Sequence, residues 1–128
     1  MRNKLHYHNL GVSEVFVFDQ FLINQIKPGE LVDSDQVKTL KHLIQVHFSD
    51  REMVYLSNRV FTYSVNPMVY NEVVKIPNLL GMGIVVHTDS SRLNAQFEKS
   101  FYTKPFAIFD NVPEAVYWAQ EVISNYHT

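Results

Sequence analysis

Residues 80–86 read Leu-Gly-Met-Gly-Ile-Val-Val, a run without one polar side chain. A strand with a single buried face alternates apolar and polar residues, so a run this uniform needs cover on both faces. It is also far shorter than the roughly 20 apolar residues that cross a membrane. The chain must therefore place layers on either side of a sheet, which is the arrangement of α/β folds. Gly81 and Gly83 within the run predict either a bulge or the close approach of a neighbouring element.

The flanking sequence supplies those layers. Residues 4–10 alternate, as a half-buried strand at a sheet edge does. Residues 15–18 and 21–26 are apolar runs around Asp19-Gln20, consistent with a hairpin that Lys27-Pro28-Gly29 closes. Asp33, with Gln36 three residues on, forms a capping box for a helix whose stripe is Val37, Leu40, Leu43, Ile44 and Phe48. A strand over 53–56 then runs into a polar loop, and Asn66-Pro67 starts a helix predicted to reach residue 76. After 80–86, Asp89 can cap a helix carrying Leu93, Phe97 and Phe101. A short strand over 106–109 follows. Asn111 and Glu114 then box a final helix with Val112, Ala115, Val116, Ala119, Val122, Ile123 and Tyr126 on one face. The order β-β-β-α-β-α-β-α-β-α predicts an α/β domain, a mixed sheet of five or six strands with four helices. No linker or repeat divides residues 1–128, so one domain is expected.

Composition narrows the function classes. Of 128 residues, 11 are basic and 13 acidic, a net charge of −2 with no block of one sign. Nucleic acid and anionic membrane surfaces both call for clustered cations, so neither is expected as a partner. With no cysteine, disulfides, thiolate catalysis and cysteine-held metals are excluded. The polar-interrupted N-terminus lacks the apolar core of a signal peptide, and no integral membrane segment is present. A cytoplasmic protein is the expectation.

Two segments, YLSNRVFTYSVNPMVY (55–70) and RLNAQFEKSFYTKPFAIFDNVPEAVYWA (92–119), together with the early hairpin, resemble the SpoIIAA-like or STAS-like domains, in particular short stand-alone bacterial members. The resemblance implies a small α/β domain for protein–protein regulation or, in some relatives, for ligand or lipid binding. One branch of that group phosphorylates a serine in an Asp-Ser-Ser-Gly motif at a helix start. Here Asp89-Ser90-Ser91 is followed by Arg92 instead of glycine and comes one βα unit too late. In the matching loop, Tyr63-Ser64-Val65-Asn66-Pro67, the switch position falls near Asn66. The resemblance therefore implies no phospho-switch as it stands, and Ser64 and Ser90 are the nearest hydroxyls.

Polar groups beyond the carboxyl end of a buried strand are where open α/β sheets hold ligands. Ser57, Asn58, Arg59, Tyr63, Ser64 and Asn66 form one such set, with Arg59 offering a planar fork to an acidic group. Alternatively Arg59 and Asn58 tie down the loop. His87, Asp89, Ser90 and Arg92 form a second set, which helix capping alone also explains. His6 and His8 share a strand face but lack a third metal ligand, and His42 and His47 are five apart. Glu98, Glu114 and Glu121 read as solvated charge. Phe97, Phe101, Tyr102, Phe106, Phe109 and Trp118 either fill the core or line an apolar pocket. No nucleophile–base set or cofactor motif stands out. The expected function is a non-catalytic regulatory or protein-interaction module. The alternative is a carrier or sensor of a small apolar, lipid-like ligand, and an enzyme needs His87, Arg59 and a hydroxyl to converge. The leading edge strand makes a homodimer an expectation too.

Overall fold

The computed structural model describes residues 5–127. Lys4, the first residue of the predicted leading strand, lies outside them. The hairpin opening comprises β1 (His6–Asn9), β2 (Ser13–Val17) and β3 (Phe21–Ile26), paired antiparallel in sequence order. Three βα units follow, built on β5 (Met53–Arg59), β7 (Leu79–Val86) and β8 (Phe106–Phe109), which continue the sheet in parallel from β3. Among the described residues the sheet has six strands in the order β1-β2-β3-β5-β7-β8. The helices are α1 (Ser34–Phe48), α2 (Val69–Val73), α3 (Asp89–Lys99) and α4 (Val112–Tyr126). A second, parallel ladder joins β4 (Leu31–Val32) to β6 (Ser64–Val65), a pairing too short to leave a periodic signal.

The run that opened the sequence lies inside the sheet, between β5 and β8, and is covered on both faces. Met82, Ile84 and Val86 join Val15, Leu22, Tyr55 and the stripe of α1 in the larger core. Val85 faces the opposite way, with Val54, Leu56 and the Ala115–Ala119–Ile123 stripe of α4. Both glycine expectations hold. The register slips where Met53 pairs with Leu79 but Val54 with Gly81, leaving Leu80 as a bulge. A Cβ on Gly83 would lie 2.8 Å from Leu56 Cδ2 and 3.2 Å from the Trp118 ring, so the α4 indole lies directly against bare backbone.

Several local expectations change. Gln36 Oε1 accepts from the Asp33 N–H at 2.7 Å in the capping box of α1, and Asn111 Oδ1 accepts from the Glu114 N–H at 2.9 Å, the N-cap half of the box expected at α4. Thr88, not Asp89, caps α3, its hydroxyl accepting from the Ser91 N–H at 3.0 Å. The helix predicted over 67–76 shrinks to the single turn of α2, because Asn66 Oδ1 accepts from the Met68 N–H and turns the chain two residues later. Of the expected α3 stripe only Phe101, just past the helix end, packs against the core: Leu93 is 66% and Phe97 61% exposed, while Ala95 and Glu98 are buried. Two positions along a helix are about 200° apart, so turning Ala95 inward turns Leu93 and Phe97 outward. Tyr126 likewise leaves the α4 stripe and is exposed.

Candidate functional site

β5 runs three residues further than its apolar pattern suggests, so Ser57, Asn58 and Arg59 belong to the strand rather than to a loop. Strand alternation then separates neighbours. Tyr55, Ser57 and Arg59 point to the face covered by α1 and α2, and Asn24 of β3, paired with Ser57, joins them. These groups line one end of a cavity of about 290 Å³. Its walls are mostly apolar: Val15 and Ile26 from the sheet, Val37, Leu40 and Leu43 from α1, and Val69 and Val73 from α2.

The polar end is tightly bonded. Asn24 Nδ2 donates to the Tyr55 hydroxyl at 3.1 Å, and the Ser57 and Tyr63 hydroxyls share a hydrogen bond of 3.0 Å. Arg59 donates through Nη1 to Glu98 Oε2 at 2.7 Å and through Nη2 to Glu98 Oε1, a bidentate pair. The Tyr70 hydroxyl also donates to Glu98 Oε1, and the Arg59 guanidinium lies 5.3 Å from the centre of the Tyr63 ring. Two buried polar atoms of this set, Arg59 Nε and Asn24 Oδ1, have no partner within the protein.

Burial raises the Tyr55, Tyr63 and Tyr70 phenols above their ordinary range, so all three stay protonated at neutral pH. For Tyr70 the Glu98 charge pushes the same way. Burial opposes the charge on Arg59, but the hydrogen bonds and charge of Glu98 outweigh it, and the guanidinium is held above its ordinary value. The set can therefore offer neutral hydroxyls and one fixed, already paired cation.

Of the candidates read from sequence, Ser57, Arg59 and Tyr63 come together here. Asn58 points the other way, donating to Gln25 Oε1 at 2.9 Å and bonding the His87 ring at 2.7 Å. Asn66 links Asp33 to the start of α2, and Ser64 sits exposed in β6. Asp89 and Ser90 are exposed on the first turn of α3, where Arg92 pairs with Asp110. His87 and Arg59 thus have separate side-chain partners, Asn58 and Glu98. Glu98 corrects the reading of solvated charge: only 6% of it is exposed. Asn24, Tyr55 and Tyr70 were missed as well. Asn24 carried a signal, a polar residue between Leu22 and Ile26 on the inward face of β3.

A histidine cluster forms elsewhere. His8 Nε2 lies 2.7 Å from Nε2 of His47 on α1, and the His6 ring centre is 4.9 Å from that of His47. Among the described residues no group of three or more His, Cys, Asp or Glu is arranged to hold a metal ion. Burial lowers the His47 pKa, and its His8 and His6 neighbours lower it further.

A mixed sheet with an antiparallel hairpin edge, parallel βα units and helices on both faces defines the SpoIIAA-like α/β fold. A solved structure with this fold, an uncharacterized protein of the DUF3478 family from Shewanella loihica PV-4, is similar with a TM-score of 0.54. The similarity spans 91% of this chain and 92% of that one at 12% sequence identity, so the likeness is one of fold. No family model and no curated protein matches the sequence. None of the described helices is long and apolar enough to cross a membrane.

Proposed function

We propose that this chain is a non-catalytic binding module that holds a small, mainly apolar molecule in the cavity beneath α1, as a carrier or sensor. The observation that carries this reading is the cavity of about 290 Å³, lined mostly by aliphatic side chains with the hydroxyls of Tyr55, Ser57 and Tyr63 among them. The cavity is partly open to solvent, so a ligand can enter, and covering its apolar lining with an apolar occupant removes that surface from water. A volume of about 290 Å³ lies at the small end of ligand pockets, which start at roughly 300 Å³, so the space suits a small molecule. Apolar walls with a few convergent polar groups are the usual composition of small-molecule sites.

Native mass spectrometry of gently purified protein tests this. The expected result is a fraction of molecules heavier than the 14.9 kDa chain by one small amphipathic molecule, released by organic solvent. Only the bare chain mass, with no medium-chain amphipath raising the melting temperature, refutes it.

A second reading, the regulatory interaction module, is favoured by one observation: Leu93 and Phe97 stand exposed on α3. Apolar side chains grouped on one helix face are a common form of contact surface. A pull-down from native lysate should then recover a stoichiometric partner that the Leu93→Ser/Phe97→Ser variant loses. Equal recovery by both chains, or no partner, counts against it.

A further inference from the structure

The polar end of the cavity also restricts what kind of molecule it takes. We infer that the ligand carries an uncharged head group, a hydroxyl or an equivalent that both accepts and donates hydrogen bonds, and is not a fatty acid or other carboxylate. This rests on the reading of the cavity as a ligand site and goes further, to the chemistry of the ligand.

The inference comes from the charges and the hydroxyls on the lining. Arg59 is the cation on the cavity lining, and it is more than nine-tenths buried. An unpaired arginine there would select an anionic head, as arginine does at many carboxylate and phosphate sites. Here both Nη groups are already committed to Glu98, itself buried, and the Tyr70 hydroxyl bonds the same carboxylate. The pair is electrically neutral, so a second carboxylate would be buried without a counter-ion. The other charged residues on the lining, Glu30 and Asp35, are acidic and further disfavour an anion.

What the lining does offer is hydroxyls, those of Tyr55, Ser57 and Tyr63, beside the neutral Arg59–Glu98 pair. A hydroxyl both donates and accepts, so a hydroxyl head group can join such a set without burying a charge. The aliphatic walls then take the chain.

Titration calorimetry of the intact protein with 1-octanol and with octanoate, at pH 7.5, tests the inference. Octanol is expected to bind at least about tenfold more tightly, given the penalty for burying an unpaired charge. Octanoate binding as tightly as octanol, or more so, overturns the inference while leaving the cavity as a ligand site. Binding of neither probe overturns both. Undiminished octanol binding by Leu40→Trp, which fills the cavity, places the site elsewhere and also overturns it. In Glu98→Gln the guanidinium loses its counter-ion, and the preference should reverse toward octanoate. An unchanged preference for octanol in a folded Glu98→Gln protein argues against the charge accounting. Should that variant not fold, the two wild-type affinities decide.

Discussion

Removing the carboxylate that neutralises Arg59 gives the sharpest test of the buried site. Glu98→Ala deletes a partner whose side chain is 8% exposed and strands a guanidinium that is 7% exposed. Two hydrogen bonds from Arg59 and one from Tyr70 are lost together. Breaking a buried ion pair from one side costs about 3–5 kcal/mol, mostly because the remaining charge stays in a low-dielectric setting. For a domain whose whole stability is about 5–15 kcal/mol, that is a large share. Urea unfolding followed by far-ultraviolet circular dichroism measures it, with the midpoint falling and the slope unchanged. A companion variant, Arg59→Met/Tyr70→Phe/Glu98→Leu, removes the charges and the orphaned hydroxyl together and should recover most of the loss, since well-packed apolar replacements of buried pairs are often neutral. A Glu98→Ala cost below about 1 kcal/mol would refute the reasoning, because surface-like pairs are worth that little. Water would then reach Arg59 freely.

Three further outcomes follow from the same structure. Gly83→Ala places a Cβ 2.8 Å from Leu56 Cδ2 and 3.2 Å from the Trp118 ring, and should cost about 1–3 kcal/mol by overpacking; an unchanged melting temperature would mean α4 can move away. The folded-state pKa of His47 lies below its ordinary value, so the unfolded chain binds that proton more readily. Its contribution to stability is therefore full above about pH 6.5 and declines as pH falls below that and through the folded pKa. The urea midpoint should drop from pH 7 to pH 5, and less steeply in His47→Gln; equal slopes would count against it. Lastly, β1 forms one edge of the sheet, and pairing through it predicts a mass above 14.9 kDa by light scattering that grows with concentration. A constant 14.9 kDa ends that proposal.

The fold was readable because periodicity reports burial, and burial here follows the layers. The uniform run at 80–86 demanded two covered faces and has them, and the α4 stripe of Ala115, Ala119 and Ile123 lies where its spacing put it. Where polar chemistry overrides hydrophobicity, pattern misleads. On α3 the bond between Glu98 and Arg59, together with Ala95, holds the helix with Leu93 and Phe97 outward, so its greasier face is the wet one. The candidate site was half legible. Ser57, Arg59 and Tyr63 were singled out, but Ser57 and Arg59 as loop residues, because the strand pattern of β5 stops being apolar three residues before the strand does. Once Ser57 and Arg59 sit on a strand, Asn58 must face away, and it does, toward Gln25 and His87. The partners Asn24, Tyr70 and Glu98 are 28 to 39 residues distant from the groups they bond, too far for local spacing to reveal.

The short ladder between β4 and β6 bears on how fast anything could enter or leave the cavity. Leu31, Val32 and Val65 lie on the lining, yet the ladder is independent of the main sheet. It is fastened by the Ser64 N–H to Glu30 carbonyl and Asn66 N–H to Val32 carbonyl bonds, with the Gly29 N–H to Thr62 carbonyl bond beside it. Segments held by so few exposed hydrogen bonds open at a small fraction of the free energy of global unfolding. Exchange of an occupant would then be timed by this local parting while the six-stranded sheet stays intact. The Gly29, Ser64 and Asn66 amides are the natural clocks: their hydrogen exchange should be fast in the free protein and slow when a ligand fills the space behind them.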